Sequence, residues 1–173
     1  MLRVLAERHP DLYEHAGVVA ALARAVGARM GMVPDELDGI ERAAELHDIG
    51  KIAIPSSILN KPGPLDAGEW RFMRRHTLIG ESMLSAAPVL QSAAKVVRSS
   101  HERFDGKGYP DGLSGEQIPL ASRIIFVCDA FHAITSDRPY EPAQSVESAL
   151  AELSRCAGSQ FDPAVVAAFQ AEI

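Results

Sequence analysis

Residues 46–55, LHDIGKIAIP, set His47 and Asp48 side by side at the end of an apolar pattern, with Lys51 three positions on. Before them Pro34 stands where a first-turn proline costs a helix little. Leu37, Ile40, Ala44 and Leu46 then carry an apolar side up to His47. Gly50 ends that helix. An ionisable pair on a buried-looking helix end is costly unless it has partners. Two adjacent side chains that both bind cations answer the cost as the centre of a metal site.

On either side of this stretch the pattern is helical. From Asp11 to Met30, Leu12, Val18, Val19, Leu22, Ala23 and Val26 recur at helical spacing, His15 sits on the same inward side, and Gly31 is a natural stop. The segment KIAIPSSILNKPGPL, rich in proline, serine and glycine, predicts an ordered loop with at most one short helical turn. Asp66 and Glu69 form a capping-box-like start for one helix through Trp70, Met73, His76, Ile79 and Met83. Pro88 opens another through Leu90, Ala94, Val97 and His101. Residues 102–119, ERFDGKGYPDGLSGEQIP, carry Gly106, Gly108, Gly112 and Gly115 with Pro110 and Pro119, so no long regular element fits there. Such a connector is too long to be idle. LASRIIFVCDAFHAIT follows as a strongly apolar helix with Asp129 and His132 on one face, and helices near 146–156 and 162–172 finish the chain. Strand signal is weak throughout, which predicts an all-α class.

A length of 173 residues with 47% hydrophobic content suits a single domain over residues 1–173 with a contiguous core. The net charge of −6 argues against binding DNA, RNA or an anionic membrane surface non-specifically. No apolar run reaches the ~18 residues a membrane span needs, and the charged first residues do not resemble a signal peptide; the expectation is a cytoplasmic protein without membrane insertion. Cys128 and Cys156 lack metal-motif spacing, and Cys128 among Ile124, Ile125, Phe126 and Val127 reads as a buried thiol.

Of the six histidines, His9 beside Pro10 reads as an ordinary histidine. His15, His47, His76 and His101 each lie in or at the end of a different predicted helix, on its apolar side, accompanied by Asp48 and Asp129. Without partners, burying so many ionisable groups would cost several kcal/mol apiece, whereas imidazole nitrogen and carboxylate oxygen suit transition metals. Spacing alone does not bring these residues together, since they are scattered along the chain.

The stretches AAELHDIGKIAIPSSILNKPGPL, EWRFMRRHTLIGESML, SHERFDGKGYPDGLSGEQIPLASRI, VCDAFHAITSDRPY and GSQFDP, in that order, resemble the HD-GYP domains of the HD phosphohydrolase superfamily nearly end to end. The resemblance implies an HD-domain bundle of about seven helices with a long glycine-rich GYP loop. It also implies two, sometimes three, divalent transition-metal ions, iron or manganese first and nickel, zinc or cobalt next, and hydrolysis of cyclic di-GMP to pGpG and onward to GMP through a metal-bridging hydroxide. Carried over by position, His15, His47, Asp48 and Asp129 would hold one metal, and Asp48 would bridge to a second held by His76 and His101. Asp48 and Lys51 would be catalytic, Lys51 meeting the substrate phosphate, while Arg103, Lys107, Gly108, Tyr109 and Pro110 would contact substrate. Arg103 could equally pair with Asp105 or Glu102, and Tyr109 could pack under the loop, meet a guanine or meet a signalling protein.

Two positions depart from the family pattern. Ser100 stands where the family usually has a second histidine, and a hydroxyl is a poor ligand for such ions. This implies a weakened second site and motivates a different reading, a cyclic di-GMP sensor or docking module. His132 stands where the family commonly has aspartate. That aspartate and an acid matching Asp11 hold the third metal, so a third site is in doubt here, and His132 either compensates for Ser100 or packs on Phe131 or Phe104.

Overall fold

The computed structural model describes residues 10–137 and 142–173. His9 and the side chain of Asp11 lie outside the described residues. The described residues form nine α-helices: α1 (Pro10–Arg29), α2 (Pro34–Leu46), α3 (Ser56–Leu59), α4 (Ala67–Met73), α5 (His76–Ser85), α6 (Gln91–Arg98), α7 (Leu120–Thr135), α8 (Val146–Arg155) and α9 (Pro163–Gln170). Short 3-10 turns occupy Ile49–Ala53, Pro88–Leu90 and Gly115–Gln117. Among the described residues no strand occurs, only one isolated bridge between Ala157 and Phe161.

The helix starts follow local chemistry. Asp66 accepts from the backbone N–H groups of Gly68 (2.7 Å) and Glu69 (2.9 Å), and Asp162 accepts from Ala164 N–H at 2.8 Å with Pro163 in the first turn. Gly31, at φ 83°, ends the turn after α1 in a conformation that L side chains rarely adopt.

Helix α1 packs on α2 and α7, and α8 and α9 close over α7. The main core joins Val19, Ala23 and Val26 of α1 to Ile40 of α2, Ile124, Ile125 and Val127 of α7, and Leu153 and Phe169 from the last two helices. Each large side chain buried there stabilises the fold by about 1.5–3 kcal/mol. The Phe131 and Phe169 rings lie 4.8 Å apart within it, and Cys128 is a buried free thiol, as its apolar neighbours indicated. A smaller cluster of Leu46, Ile49, Leu84, Ala94 and Val97 underlies the His47–Asp48 turn.

The sequence pattern differs from the structure in the middle of the chain. The single helix expected through Trp70 and Met83 is two, α4 and α5, parted at Arg74 and Arg75. His76 Nδ1 bonds the Met73 carbonyl at 2.7 Å, taking the acceptor that a continuous helix would offer to Thr77 N–H. The helix expected from Pro88 to His101 divides into a 3-10 turn and α6, and His101 lies in the turn beyond. The described residues therefore hold nine helices where about seven were expected, the difference including the divided helix and the single turn α3.

Candidate metal centre

Five segments converge on a cleft of about 1120 Å³. Helix α1 brings His15, the end of α2 brings His47 and Asp48, the first residue of α5 is His76, the turn after α6 holds His101, and α7 carries Asp129. Two clusters result, His15–His47–Asp48 and Asp48–His76–His101, each with ligand atoms within 4.8 Å of one another. Asp48 belongs to both. Asp129 joins the first through Oδ1, which lies 3.0 Å from His15 Nε2 and 4.0 Å from His47 Nε2.

Two helix ends orient their imidazoles in the same way. His47 Nδ1 lies 2.7 Å from the Ala44 carbonyl, as His76 Nδ1 does from that of Met73. A carbonyl only accepts, so both Nδ1 atoms carry the proton and both Nε2 atoms present lone pairs to the cleft. There His47 Nε2 stands 3.5 Å from Asp48 Oδ2, and His76 Nε2 stands 3.6 Å from Asp48 Oδ1. Nε2 of His47, His76 and His101 and Oδ1 of Asp48 are all buried without a hydrogen-bond partner. Lone pairs facing lone pairs in a buried place are unfavourable alone and become ligands once cations lie between them. The residues present therefore fit a pair of metal ions sharing Asp48.

The local electrostatics agree. Burial pushes the Asp48 carboxyl upward but is outweighed by Lys51 and the imidazoles of His47, His76 and His101, so the group is held well below the usual carboxylate range. Burial likewise raises Asp129 and is overcome by the hydrogen bond from His15. Burial, with neighbouring His76, pushes the His101 imidazole down to about 3, and burial also lowers His76. Both rings are thus neutral, the form that binds metal.

The expected substrate-contact residues have distinct surroundings. Lys51 Nζ reaches Asp48 Oδ2 at 2.5 Å and lines the cleft. Arg103 is committed elsewhere: Nε and Nη2 bond both oxygens of Asp105 at 3.0 and 2.8 Å, and Nη1 bonds Gln160 at 3.1 Å. The pairing with Asp105 is one of the two partners the sequence allowed, and Arg103 also lines the cleft. Lys107 and Gly108 line the cleft. Tyr109 stacks on His101, centroids 5.2 Å apart and planes 19° apart, and Pro110 follows it through a cis peptide bond.

Ser100 is buried and gives its hydroxyl proton to the Val97 carbonyl at 2.9 Å, so the second cluster has two imidazoles and Asp48. His132 sits against His15, Nδ1 to Nδ1 at 2.7 Å, on the side of the first cluster rather than beside Ser100. Sequence reasoning considered Glu102 only as a partner for Arg103; it is instead buried and accepts from the backbone N–H groups of Asp111 (2.7 Å) and Gly112 (3.1 Å). Its only sequence signal was its place directly after His101, at the head of the glycine-rich stretch.

A profile described as HD domain matches residues 1–165. The chain belongs to the HD-domain family. Within it, the Gly108–Tyr109–Pro110 loop places this HD domain in the HD-GYP subgroup, in keeping with its relatives. The cyclic di-GMP phosphodiesterase response regulator RpfG of Xanthomonas campestris is 45% identical over 162 residues, covering 89% of this chain and 43% of that protein. A cyclic di-GMP phosphodiesterase of Thermotoga maritima is 41% identical over 172 residues, 98% of this chain and 47% of that protein. The HD domain thus spans less than half the length of these curated relatives. The crystal structure of the cyclic GMP-AMP specific phosphodiesterase V-cGAP3 of V. cholerae superposes with a TM-score of 0.73 at 19% identity, over 91% of this chain and 43% of that one; the likeness shows a shared fold. No described helix is long and apolar enough to cross a membrane.

Proposed function

We propose that this HD domain is a metal-dependent phosphodiesterase that cleaves cyclic di-GMP to pGpG and onward to GMP, with iron or manganese in its two sites. The observation that carries the proposal is Asp48, shared by two clusters of buried, unpartnered ligand atoms. The names of the two relatives above support the choice of substrate.

Bound divalent ions would supply Lewis acidity toward the phosphoryl group and acidify nearby water. The chain's own residues do the rest. His15, His47, Asp48 and Asp129 would hold one ion, and Asp48, His76 and His101 would hold the other. Ala44 and Met73 fix the tautomers of His47 and His76, so that no proton must be moved before a ligand engages. Lys51, a cation beside Asp48, offers its ammonium to a phosphoryl oxygen entering the cleft. Tyr109, packed on His101, shields that imidazole from water.

Anaerobic loading with Fe(II) or Mn(II), incubation with cyclic di-GMP and separation of products by chromatography tests the proposal. Accumulation of pGpG followed by GMP is the expected result; intact substrate under both metals would count decisively against it. A second reading, a binding module that senses cyclic di-GMP or docks a signalling protein through the GYP loop, draws on Ser100, whose hydroxyl is turned to Val97. Tight nucleotide binding without turnover, with turnover restored in Ser100→His, would favour it.

A further inference from the structure

Arg74 lies at the break between α4 and α5, the same break that sets His76 at a helix start. Its guanidinium carbon is 5.3 Å from the centroid of the Tyr109 ring and 5.9 Å from that of Trp70, and all three residues line the cleft. Arg103, the other arginine lining the cleft, is paired with Asp105. No described carboxylate pairs with Arg74. Aromatic contacts favour a guanidinium through its flat faces and leave the N–H donors in its plane unused. Such a fork matches two oxygens of one phosphate. Tyr109, which touches Arg74, also stacks on His101, so this unpaired cation is one ring away from the metal-ligand cluster.

A cyclic dinucleotide carries two phosphodiesters. With one of them at Asp48, the other must lie elsewhere in the same cleft. We propose that Arg74, held by Trp70 and Tyr109, binds the phosphodiester that is not being cut. The inference rests on the cyclic dinucleotide reading above.

The test compares kcat/KM of metal-loaded protein and its Arg74→Ala, Arg74→Lys and Trp70→Ala variants on cyclic di-GMP and on bis(p-nitrophenyl) phosphate, which has a single phosphodiester. Losing a charge-assisted contact predicts a ~10–100-fold drop on cyclic di-GMP for Arg74→Ala, several times larger than its drop on the aryl diester. Arg74→Lys should recover part of the loss, and Trp70→Ala should fall between. Equal losses on both substrates, or none on cyclic di-GMP, would overturn the assignment. The 7-deaza analogue of cyclic di-GMP separates phosphate from base: an unchanged penalty supports the phosphate contact, and a penalty that shrinks shows that Arg74 reads guanine N7 and overturns it. If the unsubstituted protein turns over the aryl diester but not cyclic di-GMP, the substrate reading fails first, a result distinct from any effect of Arg74.

Discussion

At the residue scale, two of the histidines are given one satisfied and one unsatisfied nitrogen. His47 and His76 lend Nδ1 to a carbonyl three residues back and leave Nε2 bare and buried. Replacing either imidazole should therefore remove binding energy at one cluster and leave the other. His101→Ala is expected to lower metal content by about one ion per chain in elemental analysis, with the ion at His15, His47 and Asp129 retained; loss of all metal would show that the clusters are not separable. Ser100 offers the opposite experiment. Its hydroxyl serves Val97 and is buried, so Ser100→His adds a ligand to a filled space. Slower release of the second metal to a chelator is expected, with the metal-free protein destabilised by about 1–3 kcal/mol through overpacking, read from urea unfolding.

At the scale of elements, two backbone approaches position the ligands. A Cβ on Gly50 would come within 1.9 Å of the His76 carbonyl oxygen, so the 3-10 turn after Asp48 can lie against α5 only as glycine. Gly50→Ala should separate the two halves of the Asp48–His76–His101 cluster. Calorimetry should show a lower Tm, from a loss of about 3 kcal/mol or more, together with lower metal occupancy. The GYP loop is fastened in a comparable way. A Cβ on Gly108 would meet Arg103 N at 2.2 Å and Glu102 Cα at 2.5 Å, while Glu102 accepts two N–H groups from the far side of the loop. Glu102→Ala strands those donors and should cost about 1–3 kcal/mol in urea unfolding. Because Tyr109 rests on His101, the same variant should also loosen the second metal; unaltered chelator kinetics would uncouple the loop from the ligand.

At the scale of the whole molecule, the buried neutral imidazoles make the metal-free fold sensitive to acid. The pKa of His101 falls from 6.5 to about 3 on folding, and that of His76 is also lowered. Between those values the unfolded chain binds more protons than the native one, so stability rises with pH across the window and is lost on acidification. Asp48 and Asp129, held low, act in the same sense, adding to the loss only as the pH falls through their unfolded values near 3.8. The Tm of chelator-treated protein should therefore drop between pH 7.5 and pH 5, and His101→Gln should flatten that slope. A slope unaffected by the substitution would place the acid sensitivity elsewhere.

Periodicity and punctuation in the sequence determined the all-α class, the helix from Leu120 to Thr135, the ends set by Gly31 and Asp66, and the residue types from which a metal centre could be built. These features are local, since they depend on side-chain spacing, capping and fixed φ angles within a few residues. The tertiary structure alone brought His15, His47, Asp48, His76, His101 and Asp129 to one cleft, turned Arg103 onto Asp105, set His132 against His15 and buried Glu102 under the GYP loop. It also broke the helix at Arg74, where a uniform apolar pattern gave no warning, because the imidazole of His76 competes for a carbonyl that the helix would otherwise use. Contacts between residues distant in the chain depend on how whole helices pack, and no short window of sequence contains that packing.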